Sequence, residues 1–405
     1  MNEKINKKVI KGSLILVFAF GIFNFFHFLF QFFMARMLTL EDYGILATLF
    51  SIVYISSVIT ESIQTILAKY SVGQEIGKIK NLLRKSFKKF SKLAIWMFFA
   101  YLVLAIPLSY LLKIDFLLLV TAGPILFTAF FTPVVRGVMQ GKRRFFTLSL
   151  NLVCEALVKL VVGVGFVYFG WRVYGAMVAV TIGAVISLLF SFIQLREIIK
   201  SKEEPYPLPG IREYAKPTLF LTFIVVLFYS LDVVIAKIIF SPQQAGLYAI
   251  TSVLGKILFW GTLPVSKAMF PVSAQENDGN NPRNSAFMSA FAIVLIGLVL
   301  VLSLFYIFPG EILSLFSDKS AEEISNAVPI LFFTGLAFSI ISIANLILLY
   351  NLSIGKIKGH QRLFWFVIIE VILLFSFSSN LVQFSIGFVV ASVIFLLGVI
   401  FLMRK

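Results

Sequence analysis

The sequence predicts an all-α polytopic membrane protein of about twelve transmembrane helices, and three observations carry that expectation. The 405 residues are 60% hydrophobic and only 13% charged, with a mean hydropathy of +0.98. A soluble globule of that composition could not cover its surface with polar groups. The apolar residues are gathered into stretches near the roughly 20 residues that cross hydrocarbon as a helix. Finally, 27 of the 35 Lys and Arg residues fall in every second connector.

The first stretch, about 12–35, follows a basic segment holding Lys4, Lys7, Lys8 and Lys11. It is too long for a signal-peptide core and no small-residue cleavage site follows, so it is expected to remain as the first span. Five more spans are expected at about 43–69, 93–112, 115–139, 147–169 and 173–195. A second set follows at about 217–240, 245–270, 286–308, 327–350, 362–380 and 381–403. Backbone groups in lipid must bond internally, and no alternating ten-residue strand pattern is present, so the spans read as helices.

The basic side collects the N-terminal lysines, the eight cations from Lys69 to Lys92, Lys142 to Arg144, Arg196 to Lys216, Lys267 with Arg283, Lys356 to Arg362, and Arg404 with Lys405. The other side holds only Arg36, Lys113, Arg172 and Lys319, and its loop from Pro309 to Val328 carries Glu311, Asp318, Glu322 and Glu323. The positive-inside rule then places both termini in the cytoplasm. The formal net charge of +16 is a topology signal, since no basic folded face with groove-reading or base-stacking elements accompanies it, and no nucleic-acid partner is expected. Cys154 is the single cysteine and lies in an apolar stretch, which excludes a disulfide framework and a cysteine metal site and reads as packing. No metal site is expected. Pro107, Pro124, Pro133, Pro264 and Pro329 fall within spans, where proline frees backbone carbonyls and permits bending.

The connector from Arg196 to Pro217 interleaves Pro205, Pro207, Pro209 and Gly210 with charge. It divides the chain into an N-terminal six-helix lobe, 1–200, a cytoplasmic linker, 201–216, and a C-terminal six-helix lobe, 217–405. A shift of about 200 residues aligns Gln31-Phe-Phe-Met-Ala35-Arg36, with Gly44 eight residues on, against Asp232-Val-Val-Ile-Ala236-Lys237, with Gly246 nine residues on. Both copies end one span and open the next, and six spans separate them, so they share one orientation. That is the mark of a parallel repeat about a pseudo-two-fold axis along the membrane normal, with a substrate bound between two facing bundles near mid-membrane. The rival reading is a chance match, because an aliphatic run, a basic residue and a glycine turn recur at membrane boundaries.

Ala35-Arg36-Met-Leu-Thr-Leu-Glu41-Asp42-Tyr43-Gly44, Gly137-Val-Met-Gln140-Gly141 with Arg143, Arg144 and Phe145, and Ala245-Gly246-Leu-Tyr248-Ala stand in register with the repeat. Together they resemble the polysaccharide-transporter branch of the multidrug/oligosaccharidyl-lipid/polysaccharide flippase superfamily, over almost the whole chain. The resemblance implies a V-shaped pair of bundles around a central cavity in a bacterial or archaeal cell membrane. It further implies alternating-access movement of a polyprenyl-pyrophosphate-linked oligosaccharide from the cytoplasmic to the outer leaflet, for cell-surface polysaccharide synthesis. The partners it implies are membrane lipids, the lipid-linked oligosaccharide and the polysaccharide polymerase or ligation machinery.

Charges inside a membrane are costly and are functional candidates by default. Lys256, about ten residues into its span, is the leading candidate for the pyrophosphate, and Asp232 at similar depth on the neighbouring span offers a competing structural pair. Arg136, one turn from the cytoplasmic end of its span, either snorkels or meets the pyrophosphate at the inner mouth. Arg36 and Lys237, at matched ends of the repeat, are further cationic candidates and also read as interface anchors. Glu155 and Lys159 are spaced i, i+4, which favours a salt bridge along one helix. Glu61 and Glu370 lack partners along their own helices and are expected to be buried carboxyls that couple transport to an ion. His27 reads either as a packing histidine or as a proton carrier.

No large external loop carries catalytic acids, so no enzyme is expected, and no cofactor is required. No nucleotide-binding loop is present, which leaves a proton or sodium gradient, or consumption of the product, as the energy source. An ion-coupled multidrug or small-solute exporter of the same superfamily is the alternative. A channel would show a filter loop, and none is evident.

Overall fold

In the computed structural model, residues 2–206, 211–276, 284–355 and 359–402 are described, with side chains outside 2–19, 56–57, 211–218, 271 and 274–276. The basic positions Arg283, Lys356, Lys358, Arg404 and Lys405, and the linker residues Pro207, Pro209 and Gly210, lie outside the described set, as do the side chains of Lys4 to Lys11.

Helices follow one another without an intervening strand among the described residues. They are α1 (Asn2–Met37), α2 (Leu40–Ser71), α3 (Ile76–Leu112), α4 (Phe116–Val120), α5 (Gly123–Gly141), α6 (Phe145–Phe166), α7 (Arg172–Gln194) and α8 (Arg196–Lys200), then α9 (Ile211–Ile239), α10 (Pro242–Glu276), α11 (Ser285–Ile307), α12 (Pro309–Phe316), α13 (Ala321–Ser353), α14 (Phe364–Ser376) and α15 (Leu381–Leu402). Nine stretches among the described residues are long and apolar enough to cross a membrane. Their outward faces stay apolar: Ile293, Ile296 and Leu300 of α11 are each about 60% exposed. Such a surface is suited to lipid and would aggregate in water. The chain is a multi-pass membrane protein.

Several boundaries differ from the sequence expectation for identifiable reasons. The fourth span is broken, because Asp115 caps α4, whose short helix ends at Val120, and Pro124 then occupies the first turn of α5, where its missing N–H costs nothing. The fifth and sixth spans have no loop between them. The chain passes through one π turn, Val167–Trp171, and reverses at Gly170 (φ 87°) and Arg172 (φ 46°). α13 starts at Ala321, earlier than expected, because Ser320 and Glu323 form a reciprocal capping box. The eleventh expected span is the 13-residue α14, preceded by a 3-10 turn at His360–Leu363.

Part of the connector is no free linker. Residues 201–206 are strapped along the start of α3: Lys80 donates to the Ser201 carbonyl (2.6 Å), Glu204 N–H to Gly77 O (3.2 Å) and Lys85 to Tyr206 O (3.1 Å). Glu203 accepts from Asn81 (2.7 Å) and Arg84 (2.8 Å). α9 then begins at Ile211, ahead of the expected span.

Two compact units result, one of Met1–Leu38 with Ile52–Ala215 and one of Thr39–Ser51 with Lys216–Lys405. In the first, Ile63, Leu67, Ile79, Leu83, Val134 and Val138 belong to the main apolar core. α5 lies close on α2 because a Cβ at Gly137 would stand 2.7 Å from Gln64 O, and one at Gly141 would collide with Ala68 O. In the second unit, α10 packs on α13 and α13 on α15, with Phe228 stacked on Phe395 at 4.2 Å and Tyr248 edge-on to Phe384 at 5.0 Å. Several buried hydroxyls are satisfied within their own helices, as when Ser385 and Ser392 each donate to the carbonyl four residues back at 2.8 Å.

The repeat acquires a structural meaning in the second unit. Gly44 and Gly246, the matched glycines, meet where α2 begins against α10: a Cβ at Gly44 would stand 3.1 Å from Gly246 Cα, and one at Gly246 would run into the Leu40 carbonyl. Backbone cannot yield as a side chain can. We therefore expect Gly246→Ala to lower stability by about 1–3 kcal/mol through overpacking, and more than Gly44→Ala, in thermal unfolding of the purified protein.

Arg84 and Asn81 hold the Glu203 carboxyl below its ordinary value of 4.5. A lowered folded-state value stabilises above the unfolded value and is lost as pH falls through the folded one. The unfolding-temperature gap between the parent and Glu203→Gln should accordingly be full near neutral pH and shrink progressively as pH falls below 4.5; a gap independent of pH would show that the strap is held by its backbone bonds alone.

Candidate functional site

Each unit buries a charged cluster among its helices. In the first unit, Arg136 of α5 is buried and its guanidinium is engaged through Nε and Nη2. Nε donates to Asn151 Oδ1 (2.8 Å), while Nη2 donates to Ser187 Oγ (2.9 Å) and to the Glu155 carboxylate. Asn151 in turn donates to Ser187 O (2.8 Å) and Ser191 Oγ (2.9 Å). The cluster therefore ties α5, α6 and α7 together. It can form because Asn151 and Glu155, and likewise Ser187 and Ser191, are four residues apart and share a helix face.

One turn further along α6, buried Lys159 places Nζ 3.2 Å from His27 Nδ1 and 4.3 Å from the centre of the Phe30 ring. The other ring nitrogen of His27, Nε2, is buried with no hydrogen-bond partner among the described residues. His27 also packs on Phe23, with ring centres 4.3 Å apart.

In the second unit, Asp232 of α9 and Lys256 of α10 are both shut off from solvent and face each other at 3.4 Å. Asp232 also accepts from Ser252 and, at 3.3 Å, from Tyr248. Tyr248, Ser252 and Lys256 follow one another at four-residue intervals, a polar stripe of α10 aimed at one carboxylate. Lys256 Nζ lies 5.5 Å from the Phe338 ring centre. Glu370 of α14 is fully buried within electrostatic range of Asp232, Lys256 and Tyr248, yet neither of its oxygens has a hydrogen-bond partner among the described residues.

The expected residues thus separate into groups. The Asp232–Lys256 pair forms as anticipated, which leaves Lys256 sealed rather than presented to a ligand. Arg136 does not snorkel and is also engaged. The Glu155 carboxylate takes the Arg136 guanidinium of a neighbouring helix, and Lys159, its expected i, i+4 partner, lies against His27 and Phe30. Arg36, at the last turn of α1, is half-buried with its guanidinium 5.4 Å from the Phe32 ring centre. Lys237, at the last turn of α9, is buried; both cations sit favourably at helix C-termini. Glu61 of α2 is exposed, which corrects the expectation of a buried carboxyl. Asn151, Ser187, Ser191, Tyr248 and Ser252 were not anticipated, although their four-residue spacing from charged or polar neighbours is visible in the sequence.

With this geometry in hand, the comparisons can be placed. Residues 33–325 match the family model described as "Polysaccharide biosynthesis protein". The chain belongs to that family. Among solved structures, it is similar to the lipid II flippase MurJ in an inward closed conformation, with a TM-score of 0.71 at 14% identity over 98% of this chain and 88% of that one. It is also similar to an inward-facing multidrug resistance MATE family transporter of the MOP superfamily, with a TM-score of 0.69 at 15% identity over 96% of this chain and 98% of that one. A MOP superfamily transporter from Pyrococcus furiosus gives 0.65 at 14% identity over 98% and 95%. A comparison with curated proteins finds no match. The fold of this polysaccharide biosynthesis family member is the one shared by these MOP superfamily transporters.

Removing one partner of a buried ion pair strands the other. Arg136→Leu is expected to cost about 3 kcal/mol of stability, and Arg136→Leu combined with Glu155→Leu to recover most of it. Thermal unfolding of both single variants and the double variant measures this, and a double-variant loss equal to the sum of the single losses would mean that the two side chains act separately.

Proposed function

We propose that this polysaccharide-family flippase carries a polyprenyl-pyrophosphate-linked oligosaccharide from the cytoplasmic to the outer leaflet of the cell membrane by alternating access, with both termini in the cytoplasm. The observation that carries this reading is the family: the matched region, 33–325, belongs to polysaccharide biosynthesis, and the fold is shared with a protein described as a lipid II flippase. The buried cations support it, since Arg136, Lys159 and Lys256 supply positive charge in a low dielectric, where attraction to a pyrophosphate is strong. All three have protein partners, so binding exchanges an internal partner for a phosphate oxygen. Arg136 can do so in bidentate fashion and Lys256 as a point charge.

Glu370 is the group we assign to ion coupling. A fully buried carboxyl with no donor of its own, near one ammonium and a second carboxylate, has room in its hydrogen bonding for a proton or a cation. Delivery to polysaccharide polymerase or ligation machinery on the outer face completes the proposed role. The fold shared with multidrug transporters supplies the second reading, an ion-coupled exporter of drugs or small solutes.

Depleting the protein should accumulate the complete lipid-linked repeat in the cytoplasmic leaflet and abolish the surface polymer, as read by leaflet-specific labelling. An unchanged distribution in cells without a second flippase would favour the exporter reading. In proteoliposomes, Glu370→Gln should retain the fold and lose the dependence of transport on an imposed ion gradient. Unaltered gradient dependence would remove Glu370 from coupling.

A further inference from the structure

We infer that the N-terminal end of α3 carries a docking surface for the anionic headgroups of phospholipids in the leaflet that α3 enters there, built on Lys88, Lys89 and Lys92. α3 has 37 residues, about 55 Å of helix against a hydrocarbon core of about 30 Å, so its first turns project beyond the apolar layer. One exposed stripe records the crossing. Arg84, Lys88 and Lys92 follow at four-residue steps, and the same face continues with Trp96, Phe99 and Val103, which are 76%, 59% and 68% exposed. The stripe turns from cationic to apolar within the single turn between Lys92 and Trp96. That turn therefore marks the edge of the hydrocarbon, with Trp96 in the interfacial position such rings prefer.

Lys92 lies about 6 Å beyond Trp96 along the axis, and Lys88 about 12 Å. A headgroup layer is roughly 5–7 Å deep on each side. Lys92 therefore stands at phosphate level, and Lys88 and Lys89 lie a few ångströms outside it, within the roughly 8 Å over which exposed charges still interact at physiological ionic strength. The neighbouring cations are already used: Lys80 and Lys85 donate to the connector carbonyls of Ser201 and Tyr206, and Arg84 pairs with Glu203. Lys88, Lys89 and Lys92 are exposed and have no ion pair or hydrogen bond to a described residue. α3 itself contains no acidic residue. Three uncompensated cations beside an exposed aromatic ring on a lipid-facing helix complement a layer of phosphate monoanions. This inference does not depend on the identity of the cargo.

The test uses the full chain with Trp171, Trp260 and Trp365 replaced by Phe, leaving Trp96 as the reporter, reconstituted in vesicles of phosphatidylcholine containing a minor fraction of brominated lipid. Brominated phosphatidylglycerol should quench Trp96 severalfold more than brominated phosphatidylcholine at equal mole fraction. The preference should disappear in Lys88→Gln/Lys89→Gln/Lys92→Gln, whose helical content is checked by circular dichroism. Equal quenching by the two lipids overturns the inference, as does a preference retained by the triple variant. If that variant fails to fold, the unsubstituted lysines still decide the matter, because a headgroup preference built on exposed cations must collapse in molar salt and one that persists there refutes it. Abolition of the preference by a small amount of unbrominated polyprenyl pyrophosphate would assign the surface to that lipid and also refute the inference.

Discussion

Lipid offers no hydrogen bonds, so polar groups in the spanning helices of this protein find their partners within the protein, and the few that do not, such as the Glu370 carboxyl, stand out among the described residues. That constraint produces the all-helical backbone and the serines that donate to the carbonyl four residues back. It also gathers the intramembrane charges into two clusters, Arg136 with Glu155, Asn151 and Ser187 in one unit, and Asp232 with Lys256, Ser252 and Tyr248 in the other. A charge scattered elsewhere in these helices would face hydrocarbon at a cost of several kcal/mol.

The clusters are built by the same device. On α6 the polar stripe runs Asn151, Glu155, Lys159, and on α10 it runs Tyr248, Ser252, Lys256, each at four-residue intervals on one face of an otherwise apolar helix. Each stripe receives an ion of opposite sign from a neighbouring helix, Arg136 from α5 or Asp232 from α9. The results differ chemically. The first cluster and its extension combine two cations with one carboxylate and a histidine, while the second surrounds one ammonium with two carboxylates. Glu370 is the member left without a hydrogen bond. Under the proposed function, replacing an internal carboxylate by a ligand phosphate would conserve much of the electrostatic stabilisation.

Much of the candidate site is legible in one dimension. Asp232 and Lys256 share a depth on consecutive antiparallel spans, and depth counts residues along a helix, which a sequence records. Partners on non-consecutive faces are not recorded that way. The i, i+4 spacing of Glu155 and Lys159 identifies a shared face, but the cation that reaches Glu155 comes from α5 because of how α5, α6 and α7 rotate about their axes. Glu61 illustrates the reverse error: nothing in α2's sequence says which side of the helix is covered, and that side chain is exposed.

The class and the succession of apolar spans can be read from hydropathy, charge asymmetry and spacing, which are properties of consecutive residues governed by the thickness and dielectric of a bilayer. The same reading aligns Gly44 with Gly246. The packed helices add that these two glycines touch, that the connector to Tyr206 is strapped onto α3, that Lys237 is buried and that Glu370 has no hydrogen-bond partner among the described residues. Those facts depend on the rotation and close approach of helices distant in sequence, which packing of whole surfaces selects and no local pattern encodes.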